Sequence, residues 1–172
     1  MASGDFIAEL SALHFRPPSA NGAQRDTVSD LSTPNQIFDV LDFDGATDEH
    51  ADYRLTLPEV YSGTTGLTFK YTYAMDGTDA DIVELEIRVL KLTDSDDLTS
   101  DLGMDTQTPV AIQDTPNGTA NDFTTSPTGA LAKANFGSAA AGDTVAIRIT
   151  RDVSAATNTD DFQFLNLYIT ET

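Results

Sequence analysis

The sequence predicts an all-β fold, a jelly-roll (Greek-key) β-sandwich with an N-terminal arm, on three observations. The first is alternation. Leu67, Phe69, Tyr71, Tyr73 and Met75 alternate with Thr68, Lys70 and Thr72, and Val83, Leu85, Ile87 and Val89 alternate with Glu84, Glu86 and Arg88. A period of two sends each apolar set to one face of a sheet and each polar set to the other. The second is that no amphipathic run of helical length interrupts these segments, which disfavours a parallel α/β sheet. The third is the long, turn-rich link from Leu92 to Val145, which suits a crossing between sheets better than a meander.

The elements follow in chain order. In Asp5–Phe15, Phe6, Leu10 and Leu13 have helical spacing but Ile7 and Phe15 leave that stripe, so the segment reads either as a docking arm or as a first strand. Pro17-Pro18 ends it, and residues 19–35, broken by Asn21-Gly22 and Pro34, read as a loop or extended arm. The predicted division is therefore an arm over residues 1–35 and a sandwich over 36–172. Within the sandwich, Gln36–Asp44 mixes apolar residues on both alternating sets and reads as a strand buried on part of both sides. Tyr53, Leu55 and Leu57 alternate with Arg54 and Thr56 until Pro58 stops them. Asp76-Gly77 supplies turn chemistry after Met75. The acidic stretch after Leu92 offers Leu98, Leu102 and Met104 to cover an end of the sandwich. Val110–Ile112 is a short strand, and residues 115–128 form a loop with Phe123 as its expected anchor. Leu131–Phe136 reads as a strand or a single turn. Ala141-Gly142-Asp143 turns the chain into Val145, Ile147 and Ile149, and Leu165, Leu167 and Ile169 close it. Seven or eight strands result.

Composition removes several function classes. With 28 acidic and 9 basic side chains the net charge is −19, which opposes direct contact with nucleic acid phosphates and with anionic membrane surfaces. No apolar run approaches the roughly 18 residues of a membrane-spanning helix. The N-terminus has neither a basic region nor a long apolar stretch, so no secretory leader is expected. Cysteine is absent, which excludes disulfides, thiolate metal sites and thiol nucleophiles together.

Reactive constellations are scarce. The two histidines, His14 and His50, lack a partner at metal-ligand spacing, and no nucleophile elbow accompanies them. Asp42, Asp44, Asp48 and Glu49 resemble half a calcium loop, but Gly45 follows Asp44 directly and departs from the EF-hand spacing. Asp76, Asp79 and Asp81 form a second acidic cluster and Asp94, Asp96, Asp97 and Asp101 a third; solvated turns are the plainer account of all three. Paired carboxylates could serve a glycosidase, yet sugar subsites favour exposed aromatic faces and the chain has no Trp. The expectation is a protein that is not an enzyme and uses no cofactor and no metal. Its candidate interface is Phe6, Ile7, Leu10, Leu13, Phe15 and Arg16, an apolar segment able to add to a neighbour's sheet edge.

Leu57-Pro58, Tyr61-Ser62-Gly63, Leu67, Ala141-Gly142-Asp143 and Arg148-Ile149-Thr150-Arg151-Asp152 complete the pattern. Over residues 36–172 it resembles small jelly-roll virion proteins of tailed bacteriophages, departing from them in one place, at Leu85 or Ile87, where relatives often carry a Trp. The resemblance implies a capsid decoration (cement) protein, a homotrimer on the capsid exterior that is made in the host cytoplasm and bridges the major capsid protein. The alternative is a fibre, spike or carbohydrate-binding module that recognises a host glycan.

Overall fold

The computed structural model describes residues 4–29, 36–100 and 102–172. Among them are eleven strands: β1 (Phe6–Ser11), β2 (Gln24–Ser29), β3 (Ile37–Phe43), β4 (Glu49–Thr56), β5 (Gly66–Met75), β6 (Val83–Lys91), β7 (Val110–Asp114), β8 (Thr124–Thr125), β9 (Gly129–Ala132), β10 (Thr144–Arg151) and β11 (Phe162–Glu171). They form an all-β jelly-roll sandwich of two sheets. The seven-stranded sheet runs β2-β3-β11-β5-β8, with β1 also on β11 and β9 also on β5; the four-stranded sheet runs β4-β10-β6-β7. Every pairing between named strands is antiparallel.

Alternation places the core as expected. Val83, Leu85, Ile87 and Val89 of β6 and Val145, Ile147 and Ile149 of β10 point inward from one sheet, against Phe69, Tyr71, Tyr73 and Met75 from the other, all buried. Two tyrosines tie the layers together. Tyr71 donates its hydroxyl to the Ile112 carbonyl at 3.1 Å, and Tyr73 donates to Asp114 Oδ2 at 3.0 Å. Burial and the neighbouring Asp114 push the Tyr73 hydroxyl well above its ordinary value, so it stays a donor. Phe15 and Phe164 meet edge to face at 5.5 Å, and Tyr73 stacks on Phe162 at 4.8 Å.

Several expectations change. Of the two readings of residues 5–15, docking arm or first strand, the structure shows the strand, and the segment after it is woven into the sandwich as well. β1 pairs with the last strand over Phe6–Ser11, and β2 pairs with β3. The predicted division at residue 35 falls outside the described residues. Between β1 and β2 the chain crosses to the four-stranded sheet, where Arg16 bridges Asp52 and Gly22 bridges His50, covering the edge of β4. The Asn21-Gly22 turn makes this possible: Asn21 takes φ 52°, and a Cβ on Gly22 would lie 2.2 Å from the Pro18 carbonyl oxygen. β5 and β6 lie in different sheets, so Asp76-Gly77 turns an arch between layers and no hairpin. Leu131–Phe136 divides into the end of β9 and a 3-10 turn, Lys133–Phe136. Phe123 is 65% exposed and anchors nothing; Ser126 holds that loop instead, accepting from the Tyr71 amide at 3.0 Å and donating to the Pro127 carbonyl at 2.8 Å.

Candidate functional site

The outer face of the four-stranded sheet carries rows of polar side chains, and register explains them. Directly opposed residues share a face, so Arg16, Asp52, Arg148 and Arg88 form one row across the edge segment, β4, β10 and β6. The neighbouring row on one side is Arg54, Ala146 and Leu90, and on the other side His50, Thr150, Glu86 and Ala111. Arg148 anchors the first row. Its Nε and Nη2 donate to the two Asp52 carboxylate oxygens at 2.7 and 2.9 Å, and its Nη1 donates to Asp105 Oδ1 at 2.5 Å. The Asp52 hydrogen bonds raise the guanidinium pKa further against partial burial, so the group is permanently charged. Arg88 pairs with Glu86 at 2.6 Å.

Over the Arg54–Ala146–Leu90 row the surface sinks into a groove of about 860 Å³. Leu90, Leu92 and Ala146 give an apolar floor, and Leu98, Leu102 and Met104 from the β6–β7 link form one wall. That link was expected to cover an end of the sandwich; it covers the sheet face, with Met104 buried and Leu98 61% exposed. Leu13, His14 and Arg16 form the opposite rim, beside Tyr53, Asp52 and Arg54. The His14 ring meets Tyr53 edge-on at 5.6 Å, and its Nδ1 accepts from the Ser11 amide at 2.9 Å, which leaves Nε2 as the N–H side. His50 is held below its usual pKa, by burial first and by Arg148 next, with Asp52 and Asp105 opposing, and so stays neutral near pH 7.

Of the six interface candidates, the sheet consumes three. Ile7, Leu10 and Phe15 lie in the core at 8%, 4% and 0% exposure, because β1 pairs with β11 and the turn after it carries Phe15 against Phe164. Phe6 and Leu13 stay outside, at 60% and 57% exposure, and the exposed Arg16 reaches the groove rim.

The acidic clusters cap turns. Asp44 Oδ1 accepts from the Ala46 and Thr47 amides, Asp79 from the Asp81 and Thr159 amides, and Asp97 from Thr99 and Ser100. The group best spaced to hold a cation among the described residues is one that sequence reading passed over: Glu84, Glu86 and Asp152 bring one oxygen each to within 4.8 Å of one another. Three oxygens fall short of the six to eight that calcium takes, and Arg88 already neutralises Glu86.

Sequence reading also missed Arg151. Its side chain is fully buried at the inner end of β10 and donates to the backbone carbonyls of Phe43, Asn158 and Asp160 at 3.3, 2.9 and 2.5 Å. The signal was present, since Val145, Ile147, Ile149 and Arg151 share one period-two face.

Comparison with solved structures returns carbohydrate-binding modules. A β-1,3-glucan-binding CBM6 from Bacillus halodurans superposes with a TM-score of 0.53 at 11% identity, covering 99% of this chain and 100% of its own. A CBM35 from Paenibacillus barcinonensis superposes with 0.51 at 16% identity, covering 96% and 99%. A CBM36 solved with calcium and xylotriose superposes with 0.50 at 11% identity, covering 95% and 99%. The chain shares their jelly-roll fold. No protein-family model and no curated protein sequence matches the chain. The resemblance to capsid decoration proteins gains no support from these neighbours, which are similar over nearly the whole chain.

Proposed function

We propose that this chain is a non-catalytic carbohydrate-binding module whose ligand lies in the groove on the outer face of the four-stranded sheet. The observation that carries the reading is the groove itself. Its volume of about 860 Å³ lies within the ~300–1,000 Å³ typical of small-ligand sites, and its apolar floor is edged by the Arg148–Asp52 pair and by Arg16 and Arg54. Sugars need both components: C–H faces rest on an apolar floor, and hydroxyls bond planar donors and carboxylates. The full-length likeness to modules described as binding β-1,3-glucan or xylotriose supports the same class. A hydrolase would need two carboxyls flanking a sugar, one of them able to give a proton. Here Asp52 and Asp105 both bond one guanidinium, and neither opposes the other across the groove.

With no Trp and with Tyr53 only half-buried at the rim, stacking is limited and the affinity should be modest, a Kd of about 0.1–1 mM or roughly −4 to −5.5 kcal/mol. Affinity electrophoresis against xylan, β-1,3-glucan and α-glucan should show retardation on at least one. Ala146→Trp, which fills the floor without entering the core, should abolish it with an unchanged melting curve. Migration unaffected by every polysaccharide, acidic ones included, would end the reading.

The virion role is the second reading, and the exposed apolar Phe6 and Leu13 favour it. A trimer by light scattering together with co-sedimentation on capsids would support it over the first.

A further inference from the structure

Among the described residues that line it, the groove inverts the charge balance of the chain. Over the whole sequence acidic side chains outnumber basic ones 28 to 9, whereas the charged lining among the described residues is Arg16, Arg54 and Arg148 against Asp52. Both Asp52 oxygens accept from Arg148, so Asp52 neutralises neither of the other two. Arg16 and Arg54 make no side-chain hydrogen bond or ion pair among the described residues, although both are arginines in a protein rich in carboxylates. Of the described acids of the wall loop, Asp97 caps Thr99 and Ser100, and Asp105 bonds Arg148. Arg16 opposes Asp52, and Arg54 lies two residues along the same strand on the same face. The two free guanidiniums are therefore diagonal neighbours, with Cα atoms roughly 7–8 Å apart. That spacing lets both forks reach one planar anion set between them.

We infer that the groove selects a glycan bearing an isolated carboxylate, a uronic acid unit on an otherwise neutral chain, with Arg16 and Arg54 as the groups that recognise it. This rests on the carbohydrate-binding reading and adds the ligand's charge to it. The net charge of −19 sets the limit on that charge. A densely charged polyanion meets long-range repulsion from the rest of the surface, while a single carboxylate is attracted over the screening length of about 10 Å or less at ordinary ionic strength. Local attraction and global repulsion together favour sparse over continuous charge.

The test uses the full chain and two probes that differ only at C6, methyl β-glucuronoside and methyl β-glucoside, titrated by amide NMR. The glucuronoside should bind at least about five-fold tighter, with shifts concentrated at Arg16 and at Asp52–Arg54, and the preference should shrink as salt screens it. Arg16→Gln and Arg54→Gln should each bring the ratio of the two affinities to within about two-fold while leaving the melting temperature in place. Lys70→Gln, on the other sheet, should leave the preference intact. Equal binding of the two probes, or a preference that survives both arginine changes, overturns the inference and leaves the carbohydrate-binding reading standing if any neutral polysaccharide retards the protein. Glucuronoside binding with no retardation by neutral polysaccharides upholds the inference and restricts the parent reading to acidic glycans. Tighter binding per uronate to polygalacturonate than to the glucuronoside would overturn the selection for isolated charge. No response to any saccharide would end both.

Discussion

Arg148 and Arg151 stand three residues apart on β10, on opposite faces of the same sheet, and they solve the problem of a charge in opposite ways. Arg148 faces out and is met by carboxylates: Asp52 bidentately and Asp105 once. Arg151 faces in, is fully buried, and among the described residues donates to carbonyls, those of Phe43, Asn158 and Asp160. Its Nε has no hydrogen-bond partner among them, and Asp161, Asp44, Asp160 and Asp76 act on its charge without a hydrogen bond. A carboxylate pair at a half-wet surface can be re-formed with water or a ligand, so it suits a site that must exchange partners. A guanidinium sealed against backbone carbonyls has no such freedom. It pins the residue 158–160 loop and the end of β3 to the sandwich, which is a structural task.

Arg151→Leu should therefore be the most damaging single change on β10. It leaves three buried carbonyls without their donor, at about 1–3 kcal/mol each before relaxation, so a loss of roughly 3–5 kcal/mol is expected. Arg148→Leu should cost less than half of that, since Asp52 and Asp105 can turn to water. Urea melts of the two variants decide it. Equal losses would mean that the outward arginine is as structural as the inward one.

The same inner face is tested without charge at Leu85. It is fully buried, and Leu85→Ala should cost about 2–5 kcal/mol by lost burial and a residual cavity. A cost below about 1 kcal/mol in the same melts would place Leu85 outside the packed interior and undo the strand register.

The end of the sandwich around Arg151 is crowded with acids, and one of them titrates in an accessible range. Asp42 is raised to about pH 6, first by burial and then by Asp161, Asp76, Asp26 and Glu49, and its Oδ1 has no hydrogen-bond partner. Its folded pKa lies above the unfolded value, so the native state holds the extra proton between about pH 4 and 6. Stability from this group is present below about pH 4 and is lost as pH rises through 6. Asp42→Asn should thus raise the melting temperature at pH 7.5 by about 2–5 °C and change little at pH 4.5. A gain of the same size at both pH values would show that packing and not ionisation sets the effect.

How much of this was readable follows from which residues were involved. β5, β6 and β10 were legible because a buried strand facing a partly wet surface must alternate, and their core sets do. β11 follows only from Leu167 on, since a register shift between Phe164 and Asn166 puts Phe164 in the core and leaves Leu165, expected inside with Leu167 and Ile169, half-buried. β2 was not, because Gln24–Ser29 buries no residue fully and so leaves no hydrophobic pattern. The Asp76-Gly77 turn announced a reversal, but the same turn residues serve a hairpin and an arch between sheets. Leu98, Leu102 and Met104 were legible as apolar cover, and the face they cover was not. The charged row beside the groove was out of reach altogether: Arg16, Asp52, Arg88 and Arg148 meet only through pairings between segments distant in sequence. Arg151 is the instructive omission, because carrying the alternation one step past Ile149 and Thr150 puts a charge on the core face.

The smallest effect is expected on the outer face of β6, at Glu86. Sequence alternation made Glu86 a solvent-facing residue whose removal costs under roughly 0.5 kcal/mol. The structure keeps it off the core but not free: its side chain is 14% exposed, it pairs with Arg88 at 2.6 Å, and its oxygen lies near those of Glu84 and Asp152. Burial is the main cause that lifts its pKa, Arg88 lowers it, and Asp152 and Glu84 raise it again. Glu86→Gln removes the attraction to Arg88 and the repulsion from two carboxylates together, so the terms oppose and the net change near pH 7 should stay within about 1 kcal/mol. The sign is informative. A small loss means the Arg88 pair outweighs the crowding, whereas a gain that vanishes on adding millimolar calcium would mean that the three carboxylates are a cation site in the wild-type chain. A loss comparable to Leu85→Ala would instead erase the distinction between the two faces of the sheet.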